Sequence, residues 1–469
     1  MATSVNKKNE TMLKEMNIKK LLIKLAIPST LAMIVNALYN LVDTFFVSLG
    51  LGTDAIGALT IAYPIQLIVL AIGLMLGVGS ASVFSRAFGR KDYDTMKKAV
   101  NTAIILNISL TLIISFITYI YLDDLLIFFG ATSGNIAYAR DYLLIILIAL
   151  VPFSLGVMMN NLTRAEGRVK IAMWSLVIGA GLNIILDPIF IFDWGFNLGV
   201  KGAAYATLIG KTAAFIFIFL QAFSRKSSLR IDLKSIYKID LSAAKEMILI
   251  GAPSFARVAM GSVLIILVNN LIKDYAPTEE LATDYQAIYG VINRLIRFSL
   301  MPGFGLVQGM VPIVGYNFGA KTYRRVYGVI SYASKLLFIY FTFALIMIMF
   351  FSEPLFSIFT KAEDATNIER FIDLGSKAFR IVAIGFSFVT YQVVLSSSYQ
   401  AMGYPLRAFL VALSRRFILF IPFAILLTYI MGIDGIWWTF VVADVVTGTI
   451  SFIVYKKEML ELKSKIVRL

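Results

Sequence analysis

Twelve apolar runs, each long enough to cross a bilayer as a helix, dominate this chain and leave little room for a soluble fold. They fall near residues 22–48, 55–85, 99–122, 137–161, 171–192, 200–223, 247–273, 283–315, 327–351, 374–400, 406–431 and 434–455. Spanning the hydrocarbon takes about 20 helical residues. Lipid offers no water to backbone N–H and C=O groups, so only helices or closed barrels cross it. Continuous runs of this length, rather than alternating segments of about ten residues, select helices. The expected fold is all-α and integral to the membrane. Composition agrees: 59% of the 469 residues are hydrophobic and 15% charged, with a mean hydropathy of +0.82. The first run is too long for a signal-peptide core and lacks a cleavage-site pattern, so it reads as a retained span.

Several function classes drop out. With no cysteine and no histidine, the chain has no thiol chemistry and lacks the commonest metal ligand and general base. The net charge of +15 is parcelled into short stretches between apolar runs, with no soluble domain to present a basic face to nucleic acid. Gly210-Lys211-Thr212 imitates the end of a phosphate-binding loop, but Tyr205 stands where the first glycine is required. No strand precedes that segment, so it is no nucleotide site. No nucleophile–base pair stands out either, and the chain reads as a non-enzyme without a cofactor. Uphill transport would then draw on an ion gradient, worth about 2.3 kcal/mol per charge per 100 mV and about 1.4 kcal/mol per pH unit.

The loops orient the spans. Even-numbered connections carry Arg90, Lys91, Lys97 and Lys98, then Arg164, Arg168 and Lys170, then Arg225 and Lys226, then Lys321, Arg324 and Arg325. Odd-numbered connections carry Asp123, Asp124, Asp274, Glu279, Glu280 and Glu353. The positive-inside rule puts both termini in the cytoplasm of a multi-pass protein in the cell's inner (plasma) membrane. The halves also resemble each other: Gly73, Gly79 and Gly89 recur as Gly303, Gly309 and Gly319 at an offset of 230, and Phe88-Gly89 matches Phe318-Gly319. Gly167 and Gly199 recur as Gly403 and Gly435 at an offset of 236, and Pro28 has a counterpart in Pro253. Six spans per half make this a parallel repeat about an axis along the membrane normal. The expectation is two pseudo-symmetric six-helix lobes, residues 1–223 and 247–469, joined by a cytoplasmic linker at 224–246.

Charges inside lipid cost roughly 2.5–3.5 kcal/mol each, so they are candidates for function. Asn36, Tyr39, Asn40 and Asp43 share one face of the first span, and Asn183 and Asp187 share one face of the fifth. Both acids lie about five residues from the outer ends of their spans, within roughly 8 Å of the boundary. If the stripes face each other, two acids share a small dry cavity and repel when both are ionised, which a proton held between them relieves. The other reading is that each acid satisfies a helix contact or faces headgroups. Arg257, Arg294 and Arg297 in spans seven and eight are either substrate contacts or structural partners of Asp444 in span twelve. Lys211, near mid-membrane in span six, either snorkels or pairs with an acid.

Three segments carry a family resemblance. Ala26-Ile27-Pro28 through Leu38-Tyr39-Asn40-Leu41-Val42-Asp43 resembles the first helix of the multidrug and toxic-compound extrusion (MATE) family. So do Leu182-Asn183-Ile184-Ile185-Leu186-Asp187-Pro188 with Gly199-Val200-Lys201-Gly202-Ala203-Ala204, and the run from Gln308 to Ala320. The resemblance covers nearly the whole chain and implies a central cavity between two lobes that export small organic, often cationic, molecules in exchange for protons or sodium. It is closest to the proton-coupled branch, where the matching positions make Asp43, Asn183 and Asp187 the ion-coupling site, for a proton or a sodium ion. It further implies cavity roles for Asn36, Tyr142, Asn160 and Thr207, and a hinge at Pro28. Members with a second-lobe sodium site have acids in helices seven and ten, whereas this chain has Arg257 and Arg380 there. Partners are then small-molecule substrates and lipid, with the chain acting as a monomer. A lipid-linked-intermediate flippase of the same superfamily is the alternative.

Overall fold

The computed structural model describes residues 4–131, 135–222, 224, 227–229, 239–358 and 365–467, without the side chains of 4–7, 40–41, 44, 48, 50–58, 262 and 365–367. Arg225, Lys226 and much of the linker lie outside the described residues. Every described element is helical. In chain order they are α1 (Ser4–Glu15), α2 (Ile18–Arg90), α3 (Tyr93–Ile120), α4 (Leu122–Phe128), α5 (Ile136–Ala165), α6 (Val169–Ile191), α7 (Val200–Ala222) and α8 (Leu241–Tyr275). There follow α9 (Glu279–Gly319), α10 (Tyr323–Ser357), α11 (Ala365–Ala383), α12 (Phe386–Met402), α13 (Pro405–Leu413), a π-helical turn (Ser414–Leu419), α14 (Phe420–Met431) and α15 (Asp434–Val467). Several start on a polar side chain that accepts a hydrogen bond from an otherwise orphaned first-turn N–H. Asn17 caps α2 through Lys19 N at 3.1 Å, Asp92 caps α3 through Thr95 N at 3.0 Å, and Asp240 caps α8 through Ala243 N at 3.0 Å.

Among the described residues eleven helical stretches are long and apolar enough to span a membrane. A bent pair, Ile368–Ala383 with Phe386–Met402, supplies the twelfth. The sequence suggests one unbroken tenth span, but it turns by 48°. A Cβ at Gly385, beside the break, would sit 2.6 Å from Asp444 Cβ, so glycine there lets α15 pack closely against the bend. The first two spans, Ile18–Tyr39 and Leu59–Arg90, belong to one helical run of 73 residues. Straight, that run would hold its ends about 110 Å apart. Yet both ends meet the same place, because Asn317 Nδ2 donates to Leu13 O just before the run, and the Phe88 and Tyr316 rings near its other end are 5.3 Å apart. The run therefore folds back between its two spans.

The repeat is visible in the backbone. Lys91 and Lys321, 230 residues apart, both adopt left-handed backbone at φ 62° and 58°, and Gly167 and Gly403 do so at 85° and 81°. Gly89 packs on the carbonyl of Tyr316 while Gly319 packs on the carbonyl of Arg86, each contact the 230-residue image of the other. This reciprocity is what a two-fold axis between α2 and α9 demands. Likewise a Cβ at Gly79 would collide with α8 at Met247, and one at Gly309 with the first span at Ala26. Helices in lipid gain no hydrophobic drive toward each other, so close backbone approach at small residues does the joining.

The two ends of the molecule differ. At the end that carries both termini, one apolar core draws on both halves, with Leu13, Phe84, Met247 and Tyr316 among its members. Arg86 and Glu246 pair across the halves there at 2.8 Å. At the opposite end the first lobe packs a separate core of its own residues, including Val47, Ile61, Leu143 and Ala204. The lobes are thus fused at the end bearing the termini and cored separately at the other.

Candidate functional site

Close approach of α6 and α7 builds the wall of a polar pocket inside the first lobe. A Cβ at Gly210 would lie 2.7 Å from the Gly179 carbonyl and 3.2 Å from Asn183 Cβ, so only glycine lets the helices meet here. That contact sets Asn183 Nδ2 3.4 Å from Thr207 Oγ1, while the same nitrogen donates to Asp187 Oδ1, one turn along α6, at 3.2 Å. Opposite stands the first limb of α2. Its Asp43 carboxyl lies against that of Asp187 within hydrogen-bonding reach. Tyr39, one turn earlier, hydrogen-bonds Thr207, and Tyr142 of α5 hydrogen-bonds both Thr207 and Gln66 of the second limb. Asp187 is wholly buried, at 0% exposure.

One cation enters this pocket. Lys211, one turn beyond Thr207 on α7, places its Nζ 4.9 Å from the Tyr39 ring centroid and 4.7 Å from that of Phe153. Its charge faces Asp43. Two carboxylates about 4 Å apart repel by about 4 kcal/mol at an effective dielectric of 20. The ammonium offsets one of the two charges, and a proton held between the acids would offset the other. Among the described residues Asn183 Oδ1 and Asp187 Oδ2 are buried and meet no donor. Among the described residues no group of three or more His, Cys, Asp or Glu stands ready for a metal ion.

The structure therefore brings together Asp43, Asn183, Asp187, Tyr39, Tyr142 and Thr207 from four helices. Asn36, two turns before Asp43, is half-buried and has a partner of its own. The side chain of Asn40 lies outside the described residues. Asn160 sits elsewhere: its Nδ2 donates to Ala172 O at 2.7 Å and its Oδ1 accepts from Arg164. It lies 18 residues along α5 from Tyr142, about 27 Å by helical rise. Arg257 and Arg294 belong to the second lobe, on α8 and α9. Pro28 lies within the continuous helix of the first span. Sequence reasoning passed over Gln66, and it left Lys211 between two readings that its place beside Asp43 decides. It also passed over Arg415 and Arg416, though two charges in the middle of an apolar run are the same signal that singled out Asp43.

Comparison with known proteins gives one family. The MatE family model matches residues 28–189 and 246–426. The multidrug export protein MepA of Staphylococcus aureus (strain MSSA476) is 26% identical over 427 residues, covering 91% of this chain and 90% of that protein. MepA of Staphylococcus haemolyticus (strain JCSC1435) is 27% identical over 445 residues, covering 94% of each. Among solved structures, the MATE multidrug transporter DinF-BH is 32% identical, with a TM-score of 0.83 over 93% of this chain and 95% of that one. A multidrug resistance MATE family transporter in its outward-facing conformation is 25% identical, with a TM-score of 0.88 over 97% of this chain and 99% of that one.

Proposed function

The chain belongs to the MatE family of membrane transporters, and on that premise we propose that it exports small organic compounds, cationic or amphipathic, in exchange for protons. The observation that carries this reading is the acid pair. Asp43 and Asp187 come from different helices, meet inside one lobe and share their pocket with the Lys211 ammonium. A pair of carboxylates in contact holds one proton far more readily than either acid alone. Loss of that proton leaves net negative charge in a pocket lined by Tyr39 and Tyr142, a setting that suits an organic cation. The MepA relatives, which are multidrug export proteins, and the multidrug transporter DinF-BH agree with export of this kind.

The donor set fits a sodium ion less well. Asp43, Asp187 and Asn183 offer oxygens, yet a sodium ion must touch those oxygens directly and so meets the Lys211 charge at Asp43, whereas an organic cation can lie against the Tyr142 ring instead. Protons are therefore the coupling ion in this proposal, and sodium is the ion it excludes.

Transport proceeds by alternating access between lobes spanning 1–223 and 247–469. The basic loops put both termini, and with them the fused end, on the cytoplasmic side of the plasma membrane. A core shared by both lobes at that end and separate at the other is the arrangement of an outward-facing carrier. Protonation of the pair from outside releases the bound cation and lets the first span bend near Pro28, after which the lobes rock to face inward. The chain works as a monomer, since both lobes and the pocket come from one polypeptide. The test is efflux of ethidium from proteoliposomes under an imposed proton gradient without sodium. Wild type transports and Asp43→Asn does not; undiminished efflux by Asp43→Asn would overturn the reading.

A further inference from the structure

At mid-depth in the second lobe, four arginines from three places in the chain gather around Arg416. Arg257 comes from α8, Arg297 from α9, and Arg415 and Arg416 from the π-helical turn that joins α13 to α14. Arg416 lies within electrostatic range of the other three and of Asp444 on α15. Asp444 is already taken, because Arg415 grips both of its oxygens, through Nε to Oδ1 and through Nη2 to Oδ2 at 3.0 Å. Arg416 Nη1 donates to the Arg257 carbonyl at 3.0 Å, and Arg257 Nη2 donates to Ser254 Oγ at 2.9 Å. Among the described residues Arg257, Arg297 and Arg416 make no ion pair with any acid.

The two arginines are chain neighbours in the π-helical turn and so face different ways, Arg415 toward Asp444 on α15 and Arg416 toward the Arg257 carbonyl on α8. Such turns inside α-helices recur at functional sites. A structural pair accounts for Arg415 and Asp444. It does not account for three further cations, which a membrane-embedded lobe keeps only where something uses them.

We infer that Arg257, Arg297 and Arg416 form an anion subsite in the second lobe that takes a phosphate group carried by an organic molecule. Guanidinium forks match oxyanions in a plane, two hydrogen bonds at a time. Three guanidinium groups in one neighbourhood suit the three terminal oxygens of a phosphate better than the two of a carboxylate. The Tyr289 hydroxyl, electrostatically close to Arg297 and Arg416, adds a neutral donor at the same place. The phosphate could come from a lipid headgroup or from a soluble phosphate ester. The subsite does not depend on proton coupling through Asp43.

The test is equilibrium dialysis of radiolabelled phenyl phosphate against the full-length chain in lipid-free maltoside micelles. Saturable binding of one phenyl phosphate per chain is expected, weakened about tenfold by each of Arg257→Gln and Arg416→Gln. Arg407→Gln should bind as wild type does, because Arg407 pairs with Glu458 at 3.0 Å away from the cluster. Should either glutamine variant fail to fold, Arg257→Lys and Arg416→Lys keep the charge but lose the fork, and several-fold weaker binding is expected. Displacement of the probe by added phosphatidic acid, a lipid that ends in a phosphate monoester, identifies a lipid headgroup as the source, and persistence identifies a soluble ester. Asp43→Asn must bind phenyl phosphate normally, so loss of dye efflux in that variant leaves this inference standing. Absence of saturable binding in wild type, or equal affinity in the wild type and the Arg257 and Arg416 variants, would overturn it.

Discussion

The two lobes share a backbone plan and carry opposite chemistry. Lys91 and Lys321 take the same left-handed backbone, and Gly89 and Gly319 make reciprocal contacts across the pseudo-axis. Yet the first lobe gathers Asp43, Asp187 and Lys211 inside the bundle, whereas the second gathers Arg257, Arg297, Arg415 and Arg416 around Asp444. The contacts that hold helices together depend on small residues and on φ, and they tolerate only a few residue types. Inward-facing polar positions bear no such packing constraint, so each lobe is free to fill them differently. A repeat therefore fixes where a pocket lies and says little about the charge inside it.

The largest expected effect falls on the first lobe alone. Asp43→Asn and Asp187→Asn should each lower gradient-driven ethidium efflux by about a hundredfold, while Asp444→Asn in the second lobe should leave coupling intact. Equal losses from all three would erase the functional distinction between the lobes. Next in size is Lys211→Met. Removing the ammonium beside Asp43 should cut proton-driven efflux by about tenfold and make the remainder respond to added sodium, because the repelling charge is gone. Efflux that stays indifferent to sodium would show that Lys211 does not bar the ion.

A smaller effect probes the symmetry itself. Gly89→Ala and Gly319→Ala each drive a Cβ into the other lobe's backbone, and overpacking of this kind costs about 1–3 kcal/mol. Thermal unfolding in micelles should show similar losses for both, and a large inequality would show that the two contacts carry unequal strain. The smallest effect comes from Glu166, in the turn between α5 and α6. Burial pushes its carboxyl above the usual value, against hydrogen bonds from Ser228 and Ser227 and the charge of Arg168. Ser227 Oγ donates to Oε2 at 2.9 Å, which ties the segment after α7 to this turn. With the folded value raised, its share of stability is complete below the unfolded value near 4.5 and fades as pH rises through the folded value. Wild-type Tm should therefore fall by about 2 °C across that rise, and Glu166→Gln should flatten the slope.

Much of this is legible in the sequence, for reasons that differ by element. The spans show because lipid demands length and apolarity together, and the repeat shows because glycine at a backbone contact has no substitute. Asn183 and Asp187, and Tyr39 and Asp43, are readable as one-turn pairs, since helical spacing alone puts each pair on a face. That the two faces meet is not written in either helix. It depends on the packing of α2 against α6, with Gly179 and Gly210 letting α7 close up on α6 beside them, which no single-helix pattern reveals. The turn at Ser414–Leu419 is hidden for another reason: its residues have ordinary helix composition, and the partners that Arg415 and Arg416 meet lie on α15 and α8, distant in the chain. The break at Gly385 likewise meets its close partner, Asp444, on the distant α15.

The most direct measurement follows protons rather than substrate. Ethidium is added to the purified chain in weakly buffered micelles, and a pH-sensitive dye reports what is released. A carboxyl pair that gives up its shared proton to admit a cation should release about one proton per ethidium bound, and Asp43→Asn and Asp187→Asn should release none. Ethidium binding by wild type with no proton release, or the same release from either variant, would contradict exchange at this pair.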